Sequence, residues 1–372
     1  MTFTAWIDAQ LEDVRAVGQW RHLRPFDARG PTGRLNGQNV VSFASNDYLG
    51  LSEHPAVIAA AQDALERWGS GSTASRLIVG TRPIHTSLED TLADWKGTER
   101  ALVFPTGFAT NLGLLSTLGG PDCLVVSDEL NHASIIDGCR LSNSRVAISR
   151  HNDVEHVDEL LSGTQTTRSL VVTEAVFSMD GDEAPIQALA QVCARHGALL
   201  VVDEAHAVFG CAIDSVMDIP GLDVLRVITL SKTLGSLGGA VAGPAGYIDL
   251  IINRARSFIF TTGLSPADSA AAMAAIEIVR SPEGSELREK LRSHVDRLAA
   301  GHPSAVVPVI VGDEKDAVAA ASALLARGLF VPAIRPPTVA PGTSRLRVTL
   351  SASHTPDMVD ELLDGLAAVG LR

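Results

Sequence analysis

The sequence has few cysteines and no pair of them. Cys123, Cys139, Cys193 and Cys211 are widely spaced with no C-x-x-C, which excludes a disulfide framework and a cysteine zinc site and leaves reduced core thiols. No block rich in lysine or arginine occurs, and the formal net charge is -13. Nucleic acid is thereby excluded as the main partner, because neutralising phosphates takes clustered cations. The opening residues lack a basic stretch followed by an apolar one, so no signal peptide is expected. No uninterrupted apolar run is long enough for a bilayer. Internal repeats and low-complexity tails are missing too. These absences predict a soluble, cytoplasmic protein with no membrane, nucleic-acid or metal partner.

What is present is a chain of 372 residues with 46% hydrophobic side chains, enough for a large domain and a smaller one. Helical spacing marks residues 6–20, followed by a Gly/Pro/Asn-rich connection over 25–39 and a short strand at 40–43. From there short continuous apolar runs (101–104, 123–127, 146–149, 170–173, 198–202, 224–230) alternate with amphipathic stretches. That alternation predicts an α/β fold, a mostly parallel central sheet with helices on both faces. After Pro266 an alanine-rich helix and a charged helix lead into a mixed strand and helix pattern. The expected division is an N-terminal helix and connection over 1–45, a large domain over 46–265, and an α+β domain over 266–372.

Three short motifs point in misleading directions. Gly69-x-Gly71-x-x-Ala74 matches a dinucleotide fingerprint but follows a helix where that fingerprint needs a strand. Ser231-Lys232-Thr233 resembles the end of a phosphate loop without its spaced glycine, and Asp203-Glu204-Ala205-His206 spells a helicase string without any Walker-type loop. Position offers a better account. Asp203 ends the apolar run 198–202, and Lys232 follows the run 224–230, so a carboxylate and an amine can face one crevice at the carboxyl edge of the sheet. A desolvated lysine has a lowered pKa, and its neutral amine attacks carbonyls. The alternative is a lysine that merely begins a surface turn. A pyridine ring carrying an aldehyde would satisfy both walls of the crevice: the amine forms an imine and the carboxylate keeps the ring nitrogen protonated. His206 could bond the ring's phenolic oxygen. Phe104-Pro105-Thr106-Gly107-Phe108 turns from strand to helix and offers free N–H groups to a phosphate, as any α/β unit could. His132 lies past the run 123–127, as a stacking ring or as a helix cap.

Taken together these residues resemble a fold-type I pyridoxal-phosphate enzyme of the α-oxoamine synthase family. The matching stretches are N-D-Y-L-G-L from Asn46, S-R-L-I-V-G-T from Ser75, F-P-T-G-F-A-T-N from Phe104, H-A-S from His132 and H-N-D from His151. T-E-A-V-F-S-M-D-G from Thr173, V-D-E-A-H, T-L-S-K and F-I-F-T-T-G-L-S-P from Phe258 continue them. The resemblance implies pyridoxal 5'-phosphate as cofactor, with Lys232 its Schiff-base lysine and Asp203 the partner of the pyridine nitrogen. It further implies His206 and Ser178 near the phenolic oxygen and His132 stacked on the ring. Gly107, Phe108 and Thr229 match phosphate-binding positions. Thr261 and Thr262 match the stretch that reaches the phosphate from a neighbouring subunit, hence a homodimer with shared active sites. Asn46 and Arg347 match positions near the amino-acid carboxylate, Arg345 being on the same strand face. Arg21 and Arg335 are candidates for the acyl end.

Within the family, the segment from Arg335 to Leu350 most resembles members that join L-alanine to a pimeloyl thioester, on coenzyme A or a carrier protein, with loss of CO2. Glycine with acetyl-CoA or succinyl-CoA is the alternative pairing, and a non-catalytic cofactor-binding protein is the alternative of another class. One departure stands out. After D-E-A-H the family runs into a glycine-rich loop, whereas residues 207–221 are nearly free of glycine here.

Overall fold

The buried apolar runs form one seven-stranded sheet, ordered Arg100–Phe104, Gly239–Gly243, Val224–Thr229, Leu199–Asp203, Arg168–Glu174, Cys123–Asp128 and Arg145–Ser149. The computed structural model describes residues 1–16, 18–163 and 165–372. Gly239–Gly243 runs antiparallel to both neighbours, and every other adjacent pair in the sheet is parallel. Phe104, Asp128, Glu174, Asp203 and Thr229 therefore all reach the same edge, where open α/β sheets present their ligand crevice.

Both faces are covered, which is why these strands read as continuous apolar runs. Leu199 and Val201 pack on one face with Leu114, Leu115 and Ile135, while Leu200 and Val202 pack on the other with Leu189 and Cys193. The first set comes from helices Gly107–Leu118 and Ala133–Leu141, the second from helix Ile186–His196. Each fully buried leucine contributes about 1.5–3 kcal/mol. The period-two alternation then decides where the next residues point: Asp203 continues the Leu199/Val201 face, and Glu204 the opposite one.

The long helix Pro266–Arg280 packs on helices Pro55–Trp68 and Pro83–Lys96. A small antiparallel sheet, Val306–Gly312, Ser344–Thr349 and Ala333–Ile334, carries helices Glu314–Ala326 and Pro356–Ala368 nearby. Three differences from the sequence reading are physical. The connection over 25–39 is a hairpin, Phe26–Arg29 with Thr32–Leu35, continued by Gln38–Ser42 and by Leu329–Phe330. Its strands are short and mostly exposed, so no apolar alternation announced them. The strand Gly239–Gly243 has no counterpart in the sequence reading, because only Gly and Ala flank its one valine. The leading helix is Phe3–Ala16; of the expected span 6–20, Val17 lies outside the described residues. Among the described residues no helix is long and apolar enough to cross a membrane.

Candidate active site

Lys232 stands three residues beyond the end of Val224–Thr229, in a loop closed by Leu230 N–H to Gly238 O at 3.0 Å and Gly235 N–H to Lys232 O at 2.9 Å. Gly235 has φ +60°, and a Cβ there would lie 2.3 Å from the Ser52 nitrogen, so the loop presses against the turn at Leu51–Glu53 in a way only glycine permits. The amine Nζ sits 2.7 Å from His206 Nε2, and His206 Nδ1 sits 2.5 Å from the Tyr48 hydroxyl. Burial pushes the imidazole well below its ordinary pKa, with Lys232 and Arg347 adding to the effect. Burial also lowers Lys232, against the opposing pull of Asp203 and Glu174. The partner of this lysine is thus a neutral ring instead of a carboxylate, which favours the neutral amine.

Asp203 is buried and fixed by two donors: Asn111 Nδ2 at 2.8 Å and the Ala205 N–H at 3.0 Å. Asn111 donates to Ser134 Oγ at 2.9 Å as well, tying helix Gly107–Leu118 to helix Ala133–Leu141. His132 caps the latter, accepting from the Ser134 N–H at 3.2 Å. The cap fixes the ring at the cavity mouth, and burial lowers its pKa. Capping and facing the cavity are therefore compatible roles for one histidine.

Helix Gly107–Leu118 begins at the same cavity. Thr106 caps it by accepting from the Ala109 N–H at 3.0 Å, leaving the first helical N–H groups, Gly107 and Phe108, without intrahelical partners. Gly239 lets this happen, since a Cβ there would fall 2.5 Å from the Gly107 nitrogen. Thr229 Oγ1 and Ser231 Oγ, 2.9 Å apart, add hydroxyls on the facing wall. Free N–H groups, a positive dipole end and hydroxyls form an anion seat.

Arg347 does not line this cavity but lies near enough to lower the pKa of Lys232 and of His206. Its Nε donates to Ser178 O at 2.7 Å, and its terminal nitrogens lie 3.4 Å from Asn46 Oδ1 and 2.9 Å from Thr349 Oγ1. All of these partners are neutral. Arg345, two residues away, is paired with Asp180, so of the two guanidiniums Arg347 is the one left for an incoming carboxylate. Ser178 takes part here through its backbone oxygen. Arg21 is exposed, and the Arg335 guanidinium approaches the backbone at Gly18; neither lines this cavity. Thr261 and Thr262 also lie apart, with Thr262 bridged to Ser75.

The cavity enclosed is about 200 Å³, lined among others by Gly107, Phe108, His132, Asp203, Thr229 and Lys232. Three residues of the site escape the sequence reading although their stretches do not: Tyr48, Asn111 and Glu174. Asn111 is one helical turn beyond Gly107, and Glu174 ends its strand in register with Asp203, so both signals are positional. A larger hollow of about 760 Å³ over Phe209 and Arg292 is open to solvent. There Arg292 stacks on Phe209 at 3.6 Å and bonds His302 O, so the cation is already engaged. Residues 207–221 are anchored at three buried side chains, Val208, Ile213 and Val216, and by Arg226 donating to Asp214 at 2.5 Å, while seven of the fifteen are exposed. Among the described residues no group of His, Cys, Asp and Glu is placed to hold a metal ion.

An amine nucleophile, a carboxylate facing the same space and an N–H seat fit pyridoxal phosphate. So does the buried, unpartnered oxygen Glu174 Oε1 at its wall. Comparison with known proteins agrees. The aminotransferase class I and II model matches residues 38–366. An 8-amino-7-oxononanoate synthase from Anaeromyxobacter dehalogenans is 47% identical over 378 residues, covering 98% of this chain and 95% of that one. Among solved structures, a serine palmitoyltransferase from Sphingomonas wittichii superposes with a TM-score of 0.90 at 33% identity, covering 98% and 97% of the two chains. A high-resolution structure of SPT with PLP gives a TM-score of 0.91 at 31% identity, with full coverage of both chains.

Proposed function

The chain belongs to the aminotransferase class I and II family and, within it, to the α-oxoamine synthases. On that premise we propose that it condenses L-alanine with a pimeloyl thioester to give 8-amino-7-oxononanoate, CO2 and the free carrier, a step of biotin synthesis. The observation that carries the reaction is 47% identity over nearly the whole chain to a synthase of that name. Pyridoxal 5'-phosphate, when bound, supplies a carbonyl for amines and a ring that accepts an electron pair.

The residues take roles that their surroundings allow. Lys232, against a neutral His206, holds its amine ready as nucleophile and then as the base for the alanine Cα proton. Asp203, fixed by Asn111 and the Ala205 N–H, keeps the pyridine nitrogen protonated. His206, whose imidazole Tyr48 orients, and Ser178 would hold the phenolic oxygen. Gly107, Phe108 and Thr229 seat the phosphate. His132 would stack on the ring and could donate to the oxygen of the acyl carbonyl. Asn46 and Arg347 receive the alanine carboxylate, for which a guanidinium offers two parallel bonds. Arg21 and Arg335 take the far carboxylate of the acyl chain.

The same reading makes the enzyme a homodimer, in which Thr261 and Thr262 of one subunit complete the phosphate seat of the other. Apolar side chains beside them support it: Phe260 is 70% exposed, Ile78 74% and Val79 63%. Helix Phe3–Ala16, none of whose residues is buried, offers Trp6, Ile7 and Leu11 as well. Exposed apolar side chains of this kind are what a subunit interface would cover. Four free cysteines suit the reducing cytoplasm, where we place the enzyme.

The test is release of free thiol. Alanine with pimeloyl-CoA is expected to turn over faster than glycine with acetyl-CoA or serine with palmitoyl-CoA. Faster turnover with either competitor would overturn the substrate assignment. Visible cofactor absorption without turnover on any pair would make the chain a binding protein.

A further inference from the structure

Two carboxyl side chains meet at the back of the cavity, and only one of them is accounted for. Glu174 and Asp203 are register partners on adjacent parallel strands. Leu170 and Val172, like Leu199 and Val201, face helix Gly107–Leu118, so both acids project onto that face. Asp203 is 7% exposed and has two donors, Asn111 Nδ2 and the Ala205 N–H. Glu174 is 2% exposed, lines the cavity with His132 and Lys232, and its Oε1 has no hydrogen-bond partner among the described residues. An ionised carboxylate with an orphaned oxygen, out of water and beside a second carboxylate, is an expensive arrangement. The pair lowers its energy by keeping one proton, and the proton belongs on the acid with fewer donors.

We propose that Glu174 is a neutral carboxylic acid in the working enzyme and that its O–H is a hydrogen-bond donor into the cofactor cavity. This rests on the cofactor placement above. It leaves Asp203 the only carboxylate facing the pyridine ring, so the ring meets one negative charge instead of two. The groups packed around Glu174 pull in both directions. Asp203 and Asp128 on neighbouring strands favour the proton; Lys232 and the backbone N–H of His132 oppose it, and Arg347 on the C-terminal strand feels the same carboxyl. Burial and Asp203 prevail and raise the Glu174 carboxyl to about 8. Asn131 Oδ1 accepts from the Glu174 backbone N–H at 3.2 Å, so it holds the strand end and not the side chain.

Two measurements test this, one independent of the cofactor. A pH-difference infrared spectrum of the wild-type apo chain is expected to show a buried carboxylic C=O band that disappears with a midpoint of about 8. Glu174→Gln is expected to lack the band. In the holoenzyme, Glu174→Gln removes no charge at neutral pH, so the midpoint of the cofactor's visible titration stays where the wild type has it. Absence of the band in the wild type overturns the proposal. So does a shift of that midpoint toward acid by about one unit, the mark of a lost negative charge. If the wild type shows the band but never acquires visible cofactor absorption, the cofactor reading falls while the state of Glu174 stands.

Discussion

Lys96 and Lys232 flank the same strand end and have opposite fates. Asp203 and Glu204 are consecutive, so the pleat sends one to each face of the sheet. On the Glu204 side the charges are balanced: Lys96 Nζ bonds Glu204 Oε2 at 2.7 Å, and Arg226 reaches both oxygens at 2.5 and 3.0 Å. Arg226 also bonds Asp214 and the Lys96 carbonyl. Burial would raise the Glu204 pKa, but Lys96 and Arg226 outweigh it and hold the carboxyl below its ordinary value. On the other side Lys232 meets an imidazole that burial keeps neutral. One cluster pairs every charge and locks the loop 207–221 to the sheet. The other leaves an amine and a half-satisfied carboxyl at a cavity, with a guanidinium that has only neutral partners close by. Incomplete compensation in a buried cluster is the mark of a site that awaits a ligand.

Exchanging the two roles by mutation separates activity from stability. Lys232→Ala is expected to lower turnover by roughly 10²–10⁴-fold or more, the worth of a general base and nucleophile. Its urea midpoint at neutral pH should not fall, because no carboxylate is orphaned and a desolvated amine is removed. A thiol-release assay and an unfolding curve on one preparation check both halves. Glu204→Ala is the converse. It strands Arg226 and Lys96 in the interior, and breaking a buried pair from one side costs about 3–5 kcal/mol. A lowered urea midpoint is expected, with Lys232 still able to bring up visible cofactor absorption in the folded protein.

The sequence carried the functional half of this comparison better than the structural half. That Asp203 and Lys232 meet is legible because a polar residue at the end of an apolar strand run is conspicuous, and His206 follows Asp203 by three residues. The lysine loop was equally plain from its small residues. Glu204 was not legible as a structural acid, since its partners lie far away in the chain at Lys96 and Arg226. Only the fold brings them together. Tyr48 and Asn111 were hidden for the same reason: 158 residues separate Tyr48 from His206, and 92 separate Asn111 from Asp203. The parallel sheet came through because strands buried on both faces are uniformly apolar. The hairpin at 26–35 and the strand Gly239–Gly243 did not, one being exposed and the other nearly devoid of side chains.

The guanidinium pair extends the comparison. Arg345 has Asp180, whereas Arg347 has only neutral partners. Arg347→Lys keeps the charge but loses the planar fork, so it is expected to raise the KM for alanine by about 10–100-fold, with kcat less affected. Arg345→Lys should leave that KM near the wild-type value. Equal effects from the two would show that Arg347 is a structural residue like its neighbour.

The smallest effect is a slope. Burial holds the Lys232 amine below its ordinary value of 10.5, so between the folded and unfolded values the unfolded chain binds a proton that the folded chain does not. Stability must then rise with pH across that window, by up to about 1.4 kcal/mol per unit. Below the folded value both states are protonated, above the unfolded value both are neutral, and the contribution of this group is flat. Lys232→Met, which fills the space without titrating, is expected to lose that slope in apo-protein unfolding curves taken from neutral pH upward. A matching Lys96→Met variant should keep it, since Lys232 is untouched. Loss of the slope in the Lys96 variant instead would mean that the two lysines had been assigned to the wrong sides of the sheet.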